Sequence, residues 1–269
     1  MIHRARSARA GGMIVVGLAA LLAAGCANKS NITTGSVDRS FSKSVETMSS
    51  GELDSAAAKL GAAYAKSPSD KATAMSYSTV LQMNGRSDQS LAVMRKLAIA
   101  HPKDRQVLAA YGKSLAGAGM FEQALDAIRR AQTPEYPDWK LLSAEAAILD
   151  QLGQQDAARE LYRKALDMRP GEASILSNLG MSYVLEGDLK TAEMHMRQAS
   201  QASGADSRVR QNLALVVGLQ GRFEEAEQIA RQELSPDQAQ ANVTYLRSML
   251  SQQNAWNDLK DKKEKKNTN

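Results

Sequence analysis

Cysteine and aromatic residues are scarce in this chain. Its 269 residues include one Cys, two Trp, three Phe and seven Tyr. A single Cys cannot form a disulfide within the chain, which excludes a fold stapled by disulfides. Because only 4% of the residues are aromatic although 43% are hydrophobic, the core must consist mainly of Ala, Leu, Met and Val. Ala and Leu are strong helix formers, so the composition favours an all-α fold.

The residue types that catalysis and metal binding require are also sparse. The three histidines, His3, His101 and His195, are far apart in the sequence and predict no metal cluster. Gly112-Lys113-Ser114 matches the end of a phosphate-binding loop, but the upstream glycine is missing and no strand is predicted before it. Adjacent acidic residues such as Glu224 and Glu225 are expected to be solvated on helix exteriors. We therefore expect no enzyme activity, no metal, no cofactor and no small-molecule substrate.

The formal net charge of +5 does not indicate a nucleic-acid partner. Three arginines lie within residues 1–25, which contain no acidic residue. Much of the remaining excess lies in the C-terminal tail, which carries Lys260, Lys262, Lys263, Lys265 and Lys266. The body of the chain is close to neutral, and the basic surface that nucleic acids require is not predicted.

The first 40 residues predict a targeting segment and a tether. Residues 1–12 are basic, and residues 13–24 form an apolar run shorter than the ~20 residues of a membrane span. A basic start, a short apolar stretch and small residues at its end are typical of a secretory signal peptide, which we assign to residues 1–25. Residues 26–40 are polar and rich in Ser and Thr, as expected of a flexible tether.

Ala23-Ala24-Gly25-Cys26 resembles the lipobox of bacterial lipoproteins, in which the Cys is lipidated and becomes the new N-terminus. The resemblance implies lipidation of Cys26 and membrane contact through this N-terminal anchor. The family usually has Leu where this chain has Ala23, and a cleaved signal peptide with an incidental Cys is the alternative. Ala27 stands where an Asp would favour the inner membrane in enterobacterial lipoproteins. The resemblance therefore implies the outer membrane, facing the periplasm.

Glycines recur every 34 residues through most of the chain, at Gly51, Gly85, Gly119, Gly153, Gly187 and Gly221. A small residue follows each of them by five positions, namely Ala56, Ser90, Ala124, Ala158, Ala192 and Ala226. Pro68, Pro102 and Pro170 share one phase of the same period. This pattern resembles the tetratricopeptide repeat (TPR), a helix–turn–helix unit of 34 residues. The resemblance defines an array over residues 37–240, in units 37–70, 71–104, 105–138, 139–172, 173–206 and 207–240.

The repeated residues have physical roles in such a hairpin. The glycine ends the first helix because it adopts a left-handed C-terminal conformation at little cost. The small residue lies where the two helices cross, and the proline ends the second helix. Residues 237–258 predict a capping helix with Val243, Leu246, Met249 and Leu250 on one side, and residues 259–269 a Lys-rich disordered tail. The predicted fold is an all-α TPR superhelical solenoid of about six units with a C-terminal capping helix.

The TPR resemblance also implies a binding site. In TPR proteins, residues at the second, fifth, ninth, twelfth and thirteenth places of each unit face a concave groove lined by the first helices. At these places the central units carry mainly methionine, small and amide residues, which suit an extended segment or a helix of another protein. The predicted groove residues are Met75, Thr79, Gln82, Met83, Gln106, Ala109, Lys113, Lys140, Ser143, Asp150, Gln151, Ser177, Met181, Val184, Leu185, Gln211 and Leu215.

The chain after residue 25 resembles the TadD-like lipoproteins of the Tad (Flp) pilus assembly system. The resemblance rests on the lipobox, the six-unit array and the closing segment 242–253. It implies a periplasmic, pilotin-like scaffold whose protein partners are an outer-membrane secretin or other pilus components. Two alternatives are a TPR adaptor resembling NlpI, which recruits cell-wall hydrolases, and one resembling BamD of β-barrel assembly. A TPR-bearing envelope enzyme would need a catalytic domain, for which helical hairpins over residues 37–258 leave no room.

Overall fold

The structure is a computed structural model that describes residues 48–133, 135 and 137–267, with side chains described up to residue 252. The predicted signal peptide, the lipidation site Cys26, the tether and the first helix of unit 37–70 lie outside these residues. Twelve helices follow one another in the described part. They are α1 (Ser50–Lys66), α2 (Lys71–Met83), α3 (Ser87–Ala100), α4 (Arg105–Gly117), α5 (Phe121–Ala131), α6 (Trp139–Gln151), α7 (Gln155–Met168), α8 (Ala173–Glu186), α9 (Leu189–Gln201), α10 (Ser207–Leu219), α11 (Phe223–Ala230) and α12 (Pro236–Asn267).

The helices form hairpins at the predicted 34-residue period. The first helices α2, α4, α6, α8 and α10 begin at residues 71, 105, 139, 173 and 207, which are the first residues of the predicted units. Within the described residues the secondary structure is helix and connecting turns, and the predicted all-α array of TPR hairpins is confirmed.

An acidic residue precedes each of these first helices, a periodic signal that the glycine pattern did not reveal. The carboxylates of Asp70, Asp104, Asp138 and Asp206 accept hydrogen bonds from backbone N–H groups in the first turn. Glu172 occupies the same place before α8 without such a side-chain bond. N-terminal N–H groups have no partner within their own helix, so these carboxylates fix where each unit starts.

The repeated glycines end first helices in five of the six units. Gly85, Gly119, Gly153, Gly187 and Gly221 have φ between +72° and +89°, where a side chain would be strained. Gly51 contradicts the prediction because it is the second residue of α1 and has no positive φ.

The cause of the different start of α1 is a capping box. The Ser49 side chain accepts a hydrogen bond from the N–H of Glu52, and the Glu52 carboxylate accepts one from the N–H of Ser49. This arrangement satisfies two N–H groups at once and starts α1 ahead of Gly51.

The small residues are buried, as predicted for positions where the two helices of a hairpin cross, although the helix that would face Ala56 lies outside the described residues. Ala56, Ser90, Ala124, Ala158, Ala192 and Ala226 are all at most 4% exposed. Helices α4 and α5 also approach each other closely at Gly112 of α4, where an added Cβ would lie 2.8 Å from the Ile128 side chain of α5. The hairpin therefore packs nearly backbone to backbone at this point.

The described residues fall into two compact units, one ending at Ala165 and the other beginning at Leu166. In the first unit, one core contains Leu81, Met94, Leu97 and Val107, and another includes Leu108, Leu115, Ile128, Leu141 and Ile148. In the second unit, Leu176, Ala199 and Val209 form one core, and Ala214, Ala230 and Ala239 form another. The first three of these cores join residues of neighbouring hairpins, and the fourth joins the last hairpin to α12. These hairpins therefore do not bury their apolar faces alone.

Helix α12 covers the last hairpin as a cap. Val243 and Leu246 are buried, and a Cβ on Gly218 of α10 would lie 2.5 Å from Leu246. Met249 was predicted on the same side but is 37% exposed. Among the described residues, no helix combines the length and the hydropathy that crossing a membrane requires.

The C-terminal end of α12 differs from the prediction. The capping helix was expected to end at Asp258 and residues 259–269 to be disordered, but α12 continues to Asn267. The sequence contains neither Gly nor Pro here, and it places Asp258, Lys260 and Asp261 four residues before Lys262, Glu264 and Lys265, respectively. Opposite charges at this spacing stabilise a helix.

Candidate protein-binding groove

The groove face is the set of predicted groove residues on the first helices, and it is most accessible on α2. Thr79, Gln82 and Met83 are exposed there, and Met75 is half-buried. The Thr79 hydroxyl donates to the Met75 carbonyl oxygen over 3.0 Å, which leaves its methyl group and oxygen lone pairs on the surface. This part of the groove face carries no charge.

Helix α4 continues the same surface. Gln106 is exposed, and Ala109 and Lys113 are half-buried. The Gln82 amide nitrogen donates to the Ser114 hydroxyl of α4 over 3.2 Å, a bond between the first helices of successive hairpins. The structure therefore brings the groove residues of α2 and α4 together into one surface.

Helix α6 contributes less to the groove face than predicted. Lys140 and Gln151 are half-buried, with the Lys140 ammonium 5.4 Å from the centroid of the Trp139 ring. Ser143 and Asp150 are each 7% exposed. Tyr162 of α7 donates its hydroxyl to Asp150 over 3.2 Å, so this carboxylate joins the two helices of its hairpin. Ser143 and Asp150 offer almost no surface to a partner.

In the compact unit that begins at Leu166, the inner groove positions of α8 are also covered. Ser177, Met181 and Val184 are at most 6% exposed, whereas Leu185 and Leu215 are half-buried and Gln211 is exposed. The Asn212 amide donates a hydrogen bond to the Ser177 hydroxyl over 3.2 Å, and the Ser177 hydroxyl donates one to the Met196 sulfur over 3.6 Å. These residues are buried in the packing of the array. The sequence period alone cannot distinguish such buried positions from positions that line a surface.

Two histidines are described, and both support local packing. His101 Nε2 lies 2.8 Å from the carbonyl oxygen of Ser69, and the His195 ring stacks on Tyr183 with centroids 5.5 Å apart. Among the described residues, no group of His, Cys, Asp and Glu has the arrangement of a metal site.

Charged residues form a network between α9 and α11, in the compact unit that begins at Leu166. Glu193 accepts hydrogen bonds from Arg197, Arg222 and Gln220 over 2.6–2.8 Å. Glu225, predicted to be solvated, accepts from Arg197 and Arg222. Burial alone would raise the pKa of Glu193, but the hydrogen bonds from Arg222, Gln220 and Arg197 outweigh it and lower the pKa to about 2.

A separate cavity of about 330 Å³ lies beside the α5–α6 connection and is lined by Arg129, Gln132, Thr133, Pro137, Leu142 and Glu145. Arg129 donates to the buried Glu145 carboxylate over 2.7 Å. Gln132 Oε1 and Thr133 Oγ1 are buried without a hydrogen-bond partner. None of these residues belongs to the predicted groove face.

Comparison with protein families decides the identity of the hairpins. A family model described as a tetratricopeptide repeat matches residues 79–138 and 143–207, and a second of the same description matches residues 208–232. Together they cover more than half of the chain. The chain belongs to the tetratricopeptide repeat family. TPR arrays are protein–protein interaction scaffolds and typically not enzymes, and no catalytic family is indicated.

Solved structures with the same fold share little sequence with this TPR protein. A chain of the APC/C hetero-tetramer Cut9-Hcn1 matches with a TM-score of 0.58 and 18% identity, over 72% of this chain and 38% of that chain. Pseudomonas aeruginosa pilF matches with a TM-score of 0.51 and 18% identity, over 68% of this chain and 83% of that chain. A chain of the human IFIT1 dimer with m7Gppp-AAAA matches with a TM-score of 0.56 and 16% identity, over 68% of this chain and 46% of that chain. A comparison with curated protein sequences finds no match.

Proposed function

We propose that this TPR protein is a lipid-anchored periplasmic scaffold that binds a segment of another protein on the groove face of α2 and α4 and assists Tad/Flp pilus assembly. The observation that carries the binding site is the exposed, uncharged surface formed by Thr79, Gln82 and Met83 on α2, which the hydrogen bond from Gln82 to Ser114 joins to α4. Methionine adapts to irregular apolar surfaces, and amide groups both donate and accept hydrogen bonds. Such a surface suits an extended or helical segment of low charge.

The pilus assignment is supported by the resemblance to TadD-like lipoproteins in the lipobox, the six-unit array and the closing segment. The role that this resemblance suggests is pilotin-like, with the secretin or another pilus subunit as the partner. The structural match to pilF supports the fold alone.

The groove is tested by placing a carboxylate on it and, as a matched control, on the second helix of the same hairpin. Met83 is 39% exposed on the groove face, and Ile99 is 76% exposed on α3. Met83→Glu should weaken partner capture at least tenfold, because binding would bury an unpaired charge. Ile99→Glu should leave capture unchanged. Both variants should keep the helicity of the wild type, measured by circular dichroism.

The measurement is a pull-down of each tagged protein from membranes of the native host, quantified by mass spectrometry. Recovery of a secretin or pilus-assembly subunits, reduced by Met83→Glu alone, supports the proposal. Equal recovery by both variants moves the binding site off the groove face. Recovery of cell-wall hydrolases or barrel-assembly proteins replaces the pilus role with the alternatives that resemble NlpI and BamD.

The lipid anchor is tested separately at Cys26. Cys26→Ser removes the thiol that would carry the lipid and should move the protein from the membrane to the soluble fraction of the cell envelope. Metabolic labelling with a fatty acid should mark the wild type and not the variant. A wild-type protein that takes up no label would contradict the anchor while leaving the groove untouched.

A further inference from the structure

Helix α5 ends about one turn earlier than the second helices on either side of it. It has 11 residues, whereas α3 and α7 have 14 each. The sequence places Pro134 shortly after the last helical residue, Ala131. A proline disfavours helical backbone at the residue before it and cannot continue the hydrogen-bond ladder, so the helix stops ahead of it. The cavity beside the α5–α6 connection lies at this early end, since Gln132 and Thr133 line it.

The same cavity is lined by a buried carboxylate, at a repeat position where other units carry no charge. Glu145 is 7% exposed, and it is the seventh residue of unit 139–172. The residues at this position in the other units whose first helix is described are Tyr77, Tyr111, Leu179 and Leu213. The repeat therefore does not require a carboxylate here. A buried charge costs free energy unless it is paired, and Arg129 supplies the pairing over 2.7 Å.

Oxygen atoms without a good donor lie at this cavity as well. Gln132 Oε1 and Thr133 Oγ1 are buried without a hydrogen-bond partner. Gln132 Nε2 lies 3.5 Å from Glu145 Oε2, at the outer limit of a hydrogen bond, so this carboxylate oxygen can still accept one. Buried polar atoms in folded proteins are nearly always paired. The short helix, the buried acid and the unpaired oxygens are thus three departures from the repeat that meet at one place, as expected of a site that serves a ligand.

The charges and hydrogen-bonding groups of the cavity define the class of ligand. Arg129 and Glu145 neutralise each other, so a charged ligand would leave one charge without a counterpart in a partly buried site. A neutral ligand must offer N–H groups to the unpaired oxygens. It must also offer an acceptor to the Arg129 guanidinium, whose side chain is 57% exposed and carries several N–H donors. A carboxamide group combines both, because its nitrogen donates and its carbonyl oxygen accepts.

We propose that this cavity binds a carboxamide group on a short aliphatic stem, as in the side chain of glutamine or asparagine. The amide nitrogen donates to Glu145 and Gln132, and the carbonyl oxygen accepts from Arg129. Leu142 and Pro137 provide apolar walls for the stem. A volume of about 330 Å³ is at the small end for ligand sites and suits one side chain. The site is separate from the groove face, so binding at the two places can fail independently.

The experiment measures saturation transfer by NMR from the full chain to small probes at millimolar concentration. The probes are the N-acetyl methylamides of glutamine, norleucine, glutamate and arginine, which differ only in the side chain. The glutamine probe should bind about tenfold more tightly than the others, because norleucine leaves the acceptors unpaired and the other two bring a net charge. Tighter binding of the arginine or glutamate probe would overturn the proposal in favour of a charged ligand. Saturation transfer to none of the probes would overturn it too, since the cavity would then hold only water.

Free L-glutamine separates the two sources of a carboxamide. Binding as tight as that of the capped glutamine probe supports a free small-molecule ligand. Binding of the capped probe alone supports a side chain within a partner protein, because only the capped probe has the uncharged ends of a residue in a chain.

Two variants bring residues of other units to the cavity. Glu145→Leu and Gln132→Leu should each weaken binding of the glutamine probe by about tenfold or more. Glu145→Leu should also leave the urea midpoint of unfolding equal to or above that of the parent, because an apolar side chain replaces a buried ion pair. The matched control Glu160→Leu, at an exposed position of α7, should leave binding unchanged. Undiminished binding in either cavity variant would overturn the proposal. So would a clearly lowered midpoint for Glu145→Leu, since the fold itself would then need the carboxylate.

Discussion

Single small residues set the distance between the two helices of each hairpin, and one pair of neighbouring alanines isolates this effect. Ala158 is fully buried where α7 crosses α6, while Ala157 before it is exposed. Both are helical and adjacent, as the third and fourth residues of α7. A difference between identical substitutions at the two positions therefore reports packing and not helix propensity.

Ala158→Leu should lower the free energy of unfolding by about 1–3 kcal/mol or more, because the added carbons must displace a closely packed helix. Ala157→Leu should change it by no more than about 0.5 kcal/mol. Urea unfolding followed by circular dichroism measures both. Equal midpoints for the two variants would show that the crossing is not tightly packed.

Residue-level patterns predicted more of the hairpins than of the groove face. Glycine and alanine at a fixed spacing report directly on backbone geometry. Five of the six glycine turns agree with that prediction, and so does the burial of the small residue in the five hairpins of which both helices are described. Whether a residue such as Asp150 faces solvent depends instead on a side chain from another helix, here Tyr162. Nothing in the sequence periodicity of α6 carries that information.

At the scale of helices, the ion network around Glu193 that joins α9 to α11 makes the stability of the fold depend on pH. The pKa of Glu193 is lowered from 4.5 in the unfolded chain to about 2 in the fold. The unfolded state therefore takes up a proton first as the pH falls, and the stability that the ionised carboxylate contributes is lost between pH 4.5 and about 2. Above this window the contribution is fully present.

Glu193→Gln should lower stability at neutral pH and make its decline between pH 4.5 and about 2 shallower than in the wild type. The matched control is Glu160→Gln, which changes an exposed residue of α7 and should leave the decline unchanged. Urea midpoints measured across this pH range decide the question. Parallel curves for Glu193→Gln and the wild type would show that other carboxylates dominate the acid sensitivity.

At the scale of the whole molecule, the array behaves as a series of equivalent units. Asp104 caps α4, and Asp138 caps α6 in the same way at the next unit. Removing residues 105–138 would place Asp104 directly before Trp139, so that the cap, the helix start and the following crossing are all restored. A repeat protein contacts only its neighbours, and one unit can therefore be removed without changing the contacts within the others.

Deletion of residues 105–138 should give a protein that unfolds cooperatively with undiminished helicity per residue. Deletion of residues 105–121, half as long, removes α4 and leaves α5 without its hairpin partner, exposing Ala124 and Ile128. Despite losing fewer residues, this shorter deletion should lose cooperative unfolding and bind a hydrophobic dye. Thermal unfolding followed by circular dichroism compares the two. If the longer deletion were the more damaging, the 34-residue period would describe the sequence without being the unit of stability, because the cores would then depend on contacts specific to each hairpin.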